Sequence, residues 1–267
     1  MKKVFLLLIV CLTNISISAK QVDTVEVLSR SMNITIKNLV ILPDDYESKN
    51  NLPVVFLLHG YSGNHRSWIQ IKPNLPELAS KHGMIIVCPD GKNSWYWDSP
   101  VNSDMKYETY ISEELVSYID NQYKTKKDKS GRAITGCSMG GHGGLWLGIR
   151  HQDVFGACGS TSGGVDIRPF PDNWEMKKAL GSYQENSDIW DNHTVIKQLH
   201  LIKPELAIII DCGTEDFFFN VNENLHRELN YRNIKHDYLS LPGAHNGQYW
   251  NKSVEYQLLF FKNYFYK

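Results

Sequence analysis

Residues 54–58, 84–88 and 206–210 are apolar at nearly every position, as parallel strands covered on both faces are. Residues 154–160 and the run into Gly136 read the same way. Residues 22–29 and 32–42 instead alternate apolar with polar side chains, the pattern of two antiparallel strands at a sheet edge. Elsewhere the period changes from two to three and four. Ile111, Leu115, Tyr118, Ile119 and Tyr123 form one such stripe, with Glu113 and Glu114 at its N-terminal end, where the helix dipole favours them. Trp250, Val254, Leu258, Phe261 and Phe265 form another, and shorter helices are expected at 75–81 and 221–231, with a last strand at 238–241. Strand and helix alternate throughout, so the expected fold is α/β, a mostly parallel sheet with helices on both faces. Residues 161–204 break the rhythm. They are polar and aromatic, with helical fragments near 174–180 and 195–200, and read as an insertion over the strand ends.

The first residues belong to a different category. Met1-Lys2-Lys3, an apolar run over 4–12 and the small-residue cleavage point that Ile17-Ser18-Ala19 offers before Lys20 read as a signal peptide over 1–19, so the expected destination is periplasmic or extracellular. The run is too short to span a bilayer, no later stretch is long enough, and Cys11 lacks the small residue before it that lipid anchoring needs. About 248 residues remain, one α/β domain over 20–267 with a large core. The 28 basic and 29 acidic residues become 26 and 29 without Lys2 and Lys3. A net charge of about −3 argues against a nucleic-acid partner. Cys88, Cys137, Cys158 and Cys212 all fall in or beside strand-like runs, so buried free thiols are expected, not disulfides or a metal site. No metal or cofactor is expected.

Candidate chemistry centres on Gly136-Cys137-Ser138-Met139-Gly140, a G-x-S-x-G pentapeptide between a strand-like and a helix-like run. A serine on so sharp a turn is strained, and the positions two before and two after it must be small for strand and helix to pass. The first amides of the new helix are unpaired donors at the positive end of its dipole. A serine hydroxyl is a poor nucleophile until an imidazole takes its proton, and the imidazole needs a carboxylate to fix its tautomer. Suitable partners follow in the order serine, acid, histidine. Asp211, Glu215 and Asp216 compete as the acid after strand 206–210. Asp216 is favoured, then Glu215, because a carboxylate several residues past the strand is free to reach an imidazole, whereas Asp211 is expected to bond turn amides. Among ten histidines, His245 follows the last strand within a Pro-Gly-Ala turn. His59, His82, His142, His193 and His200 are read as structural or solvated.

With these residues in place the chain resembles the bacterial putative-esterase family of α/β-hydrolases, which includes S-formylglutathione hydrolases, tributyrin and feruloyl esterases, and mycolyltransferases. The likeness rests on Leu57-Leu58-His59-Gly60-Tyr61-Ser62-Gly63 with Trp68, Tyr107-Glu108-Thr109-Tyr110 with Glu113-Glu114-Leu115, and the 136–144 segment. Phe155-Gly156, Ser162-Gly163-Gly164, Gly213-Thr214-Glu215-Asp216 and His245 complete it. It implies Ser138 as nucleophile, Asp216 as acid, His245 as base, and the backbone amides of Tyr61 and Met139 as oxyanion donors. Ala244 before His245 and Trp250 five residues after it depart from the commoner Gly-Gly-His-x-Trp pattern, which leaves the wall of the acyl pocket open. Tryptophan and tyrosine stack on sugars and aryl rings. Trp68, Trp95, Trp97 and Trp250 are therefore the candidate substrate-binding side chains. The expected function is a secreted serine carboxylesterase for short-chain or aryl esters, acetyl or feruloyl, free or linked to polysaccharide. The alternatives are an acyltransferase of the mycolyltransferase type, an S-formylglutathione-hydrolase-like thioesterase, and a silent carbohydrate-binding module with Trp95, Tyr96 and Trp97 as its platform.

Overall fold

The computed structural model describes residues 21–267, so the expected signal segment and Cys11 lie outside the described residues. Eight strands form one sheet: β1 (Val22–Ser29), β2 (Ile34–Ile41), β3 (Val54–Leu58), β4 (Ile85–Pro89), β5 (Arg132–Gly136), β6 (Ala157–Thr161), β7 (Ala207–Gly213) and β8 (Asp237–Leu241). Their spatial order is β1-β2-β4-β3-β5-β6-β7-β8. β1 pairs with β2, and β2 with β4, in antiparallel fashion. From β4 to β8 every pairing is parallel. The alternating strands thus lie at one edge and the continuously apolar ones in the middle, as their patterns require.

β3 shows why a central strand has no polar face. Val54, Phe56 and Leu58 enter one apolar cluster, and Val55 and Leu57 enter the other. On the second face lie α1 (Leu75–His82), with Leu75 and Leu78, and the last helix. On the first face lie α2 (residues 107–122), α3 (Met139–Arg150) and α4 (Phe219–Tyr231). The last helix, α5 (Gly247–Phe265), buries Val254, Leu258 and Phe261 as its stripe predicts, but also Ser253 and Gln257.

Several boundaries differ from expectation. α2 begins at Tyr107, before the apolar stripe, and its 110–115 stretch has a π-helical turn; Glu113 and Glu114 therefore sit inside the helix, away from its first turn. Residues 154–156 are not strand, because the Val154 and Phe155 amides both donate to His151 O and close a turn after α3. The 161–204 region contains the helices Lys177–Leu180 and Ser187–Asn192 and two single 3₁₀ turns, so it is more structured than its polarity suggests.

Candidate active site

The turn between β5 and α3 holds Ser138 at φ 59 and ψ −120, a conformation few non-glycine residues adopt. Gly136 and Gly140 make the turn feasible. A Cβ on either would stand 2.3 Å from Leu58 O, so the end of β3 passes where a side chain would be. The Ser138 amide donates to Thr161 O at 3.0 Å and the His142 amide to Ser138 O at 3.0 Å, which fastens the turn to β6 and to its own helix.

The loops after β7 and β8 are stitched together. Thr214 N donates to Leu241 O and Glu215 N to Gly243 O, and a Cβ on Gly213 would fall 2.2 Å from Gly243 O. This contact brings Asp216 to His245. Both Asp216 oxygens lie 2.8–2.9 Å from His245 Nδ1, and Oδ1 also accepts from the Phe218 amide at 2.8 Å. With the Nδ1 proton directed at the carboxylate, Nε2 is left as acceptor for the Ser138 hydroxyl, 2.9 Å away. Asp216 is shut away from solvent while the imidazole keeps an open edge. Glu215 is exposed and stands apart from the imidazole.

Asp211, the third acid, is fully buried and bonds side chains, not the turn amides expected of it. Its carboxylate accepts from Ser253 Oγ at 2.6 Å, Gln257 Nε2 at 2.7 Å and Thr161 Oγ1 at 2.9 Å. Burial pushes its carboxyl above the usual range. The four cysteines among the described residues are free and buried. Cys137 abuts the serine, but burial raises its thiol to about 12, so it offers no rival thiolate.

Beside Ser138 runs the 59–63 loop. A Cβ on Gly60 would stand 3.2 Å from the Ser138 Cβ, so the loop backbone lies against the hydroxyl-bearing carbon. His59 stiffens it by donating from Nδ1 to Gly60 O at 2.7 Å and accepting from Gly91 N at 2.9 Å. Among the described residues the amides of Tyr61 and Met139 donate to no protein acceptor, whereas Ser62 N donates to Asn93 Oδ1 and Gly140 N to Cys137 O. Two such donors flanking a serine can stabilise an oxyanion.

The aromatic expectations require correction. Trp68, Trp95 and Trp97 are 1%, 1% and 0% exposed and belong to the interior, where they cannot contact a substrate as expected. Trp68 Nε1 donates to Leu58 O at 2.8 Å, and Trp97 Nε1 to His142 Nε2 at 2.8 Å. Their indoles therefore brace β3 and α3. Trp95 and Tyr96 both have positive φ, which folds the loop inward, and the Tyr96 hydroxyl donates to His59 O. His142 is likewise structural, held neutral by burial with its pKa lowered to about 3. Only Trp250 of the four stands at the site, its ring centroid 5.1 Å from that of His245. Sequence reasoning missed Phe217, 52% exposed and 4.1 Å from His245, and Trp174, which stacks on Phe217 at 5.7 Å. The run Phe217-Phe218-Phe219 straight after a loop acid was the available signal. Among the described residues no group of three or more His, Cys, Asp or Glu is placed to hold a metal ion.

The geometry can be set beside known proteins. The sequence profile described as "Putative esterase" matches residues 29–261. The chain belongs to the putative esterase family. Its activity class is that of a carboxylic ester hydrolase. Over 243 residues it is 26% identical to an acetyl esterase of Caldicellulosiruptor saccharolyticus, covering 83% of this chain and 90% of that one. It is 32% identical over 234 residues to Esterase MT1326 of Mycobacterium tuberculosis, covering 77% of this chain but 51% of the longer relative. Among solved structures, a ferulic acid esterase superposes with a TM-score of 0.78 at 26% identity, covering 91% of this chain and 98% of the other. The Staphylococcus aureus serine hydrolase FphF gives 0.81 at 20% identity over 91% and 98%, a likeness of fold.

Proposed function

We propose that this esterase works through an acyl-enzyme on Ser138, with His245 as base, Asp216 as its carboxylate, and the Tyr61 and Met139 amides as oxyanion donors. The observation that carries the reading is the hydrogen-bond chain from Ser138 Oγ through His245 to Asp216, beside two amides free to donate. Ser138 Oγ attacks the acyl carbon as its proton passes to His245 Nε2. The carbonyl oxygen becomes an oxyanion between the two amides, where fixed donors stabilise charge that develops only in the transition state. The imidazolium then gives the proton to the departing alkoxide. Water repeats the sequence and releases the acid.

Short-chain or aryl esters are the proposed substrates, met outside the cytoplasm if residues 1–19 direct export, which N-terminal sequencing of the secreted protein checks. The names of the acetyl esterase and ferulic acid esterase relatives support that class. Ser138→Ala removes the nucleophile and leaves the turn, so hydrolysis of p-nitrophenyl acetate is expected to fall about a millionfold in kcat with the circular dichroism spectrum unchanged. A pure variant that kept more than a few per cent of wild-type activity would overturn the assignment.

A further inference from the structure

His245 is enclosed by three aromatic rings as well as by its two hydrogen-bond partners. Phe217 lies over the imidazole with centroids 4.1 Å apart and planes tilted by 37°. Trp250 meets it at 5.1 Å and 89°, and Phe218 at 5.4 Å and 79°. Phe218 is core, whereas Phe217 is half in water. Behind it Trp174 stacks at 5.7 Å with planes 21° apart, so the insertion holds the Phe217 ring in place. Trp174 and Glu175 both have positive φ, and Glu175 Oε2 accepts from the Tyr61 hydroxyl at 3.1 Å, which ties this strap to the 59–63 loop.

The imidazole changes charge during the reaction. It is neutral at rest and cationic from the moment it takes the Ser138 proton until it gives that proton to the leaving alkoxide. An aromatic face is attracted to a cation far more than to a neutral ring. A ring over His245 therefore favours the transition state over the ground state, the distinction that makes an interaction catalytic in effect. We infer that Phe217 is a positioning residue for the ester hydrolysis, acting through His245. Its face stabilises the imidazolium and holds its tilt between Asp216 and Ser138. The inference rests on the proposed triad.

The test is steady-state kinetics on p-nitrophenyl acetate, whose small acyl group limits contact with the ring. Phe217→Leu keeps an apolar side chain at an exposed position and removes the aromatic face. Its kcat is expected to fall about three- to tenfold with KM within twofold, and Phe217→Tyr and Phe217→Trp to restore it. Mono-, di- and trifluorophenylalanine at 217 should lower kcat stepwise, because fluorine drains the ring's negative face while its shape is nearly kept. A purely structural role would not follow the fluorine count. Full activity in Phe217→Leu, a fluorinated series that runs at the wild-type rate, or a loss confined to KM would each overturn the inference. Failure of the triad reading looks different, since Ser138→Ala would then retain activity whatever stands at 217.

Discussion

Asp211 and Asp216 arise from one short segment, yet their surroundings separate them completely. Asp211 lies under the sheet edge among hydroxyl and amide donors, and Asp216 lies one loop further out against His245 Nδ1. Asp216→Asn leaves a side chain of the same shape that holds the wrong imidazole tautomer, so kcat should drop on the order of ten-thousandfold. Glu215→Gln alters only an exposed side chain and should stay close to wild type. Kinetics of the two purified variants decide the matter, and a reversed result would make Glu215 the acid. At this scale the serine, the histidine and the favoured acid were legible, because each must follow a strand end in a set order. The tryptophans were not. Trp68, Trp95 and Trp97 stand in loop-like sequence beside polar neighbours, and nothing in their spacing reveals that backbone turns at Trp95 and Tyr96 drive the rings inward.

The elbow helix shows how an element is fitted to its sheet. On α3, a Cβ at Gly144 would stand 2.4 Å from Gly159 O, and one at Gly148 would stand 2.2 Å from the Cys158 Cβ. Alanine in a helix interior is intrinsically better than glycine by about 1 kcal/mol. Here the opposing atom at Gly144 is a backbone oxygen of β6, which yields only if the strand moves, and overpacking typically costs about 1–3 kcal/mol. Repulsion should win. Gly144→Ala is expected to lower the unfolding free energy in urea by about 1–2 kcal/mol, and a variant more stable than wild type would refute the close-packing account. Gly141, Gly144 and Gly148 fall on one side of the expected helix, and the cost of three glycines there is itself a sign of close packing in the sequence. Long periodic elements were legible too, with α5 and the central strands found within a few residues. The helix Ser187–Asn192 was not expected, since it is too short and polar for its period to register, and it buries a single anchor, Trp190.

At the scale of the whole molecule, the 161–204 insertion meets the loops that carry the proposed site. It places Trp174 against Phe217 and joins Glu175 to Tyr61, so aromatic and polar side chains border the proposed site. Each methylene contributes roughly 0.8 kcal/mol only while it finds apolar surface to cover. Acyl chains of about C2 to C4, or a compact aryl acyl group, should therefore be turned over much faster than C12. A kcat/KM that rose steadily through C12 with soluble substrate would mean a long apolar groove and point to a lipase. The α/β class and the two antiparallel strands at the sheet edge followed from hydrophobic pattern, whereas the surroundings of the site depended on which loop residues meet across the fold, and no local period encodes that.

Two of the three side-chain donors that satisfy Asp211, Ser253 and Gln257, lie on α5, which follows every member of the proposed triad in the chain. Without α5 a folded sheet would bury the Asp211 carboxyl without its amide and one of its hydroxyl partners, a defect of about 1–3 kcal/mol. That carboxylate also bonds Thr161, whose carbonyl accepts the Ser138 amide. Docking of the last helix and the setting of the nucleophile's turn are thereby linked through one buried carboxyl.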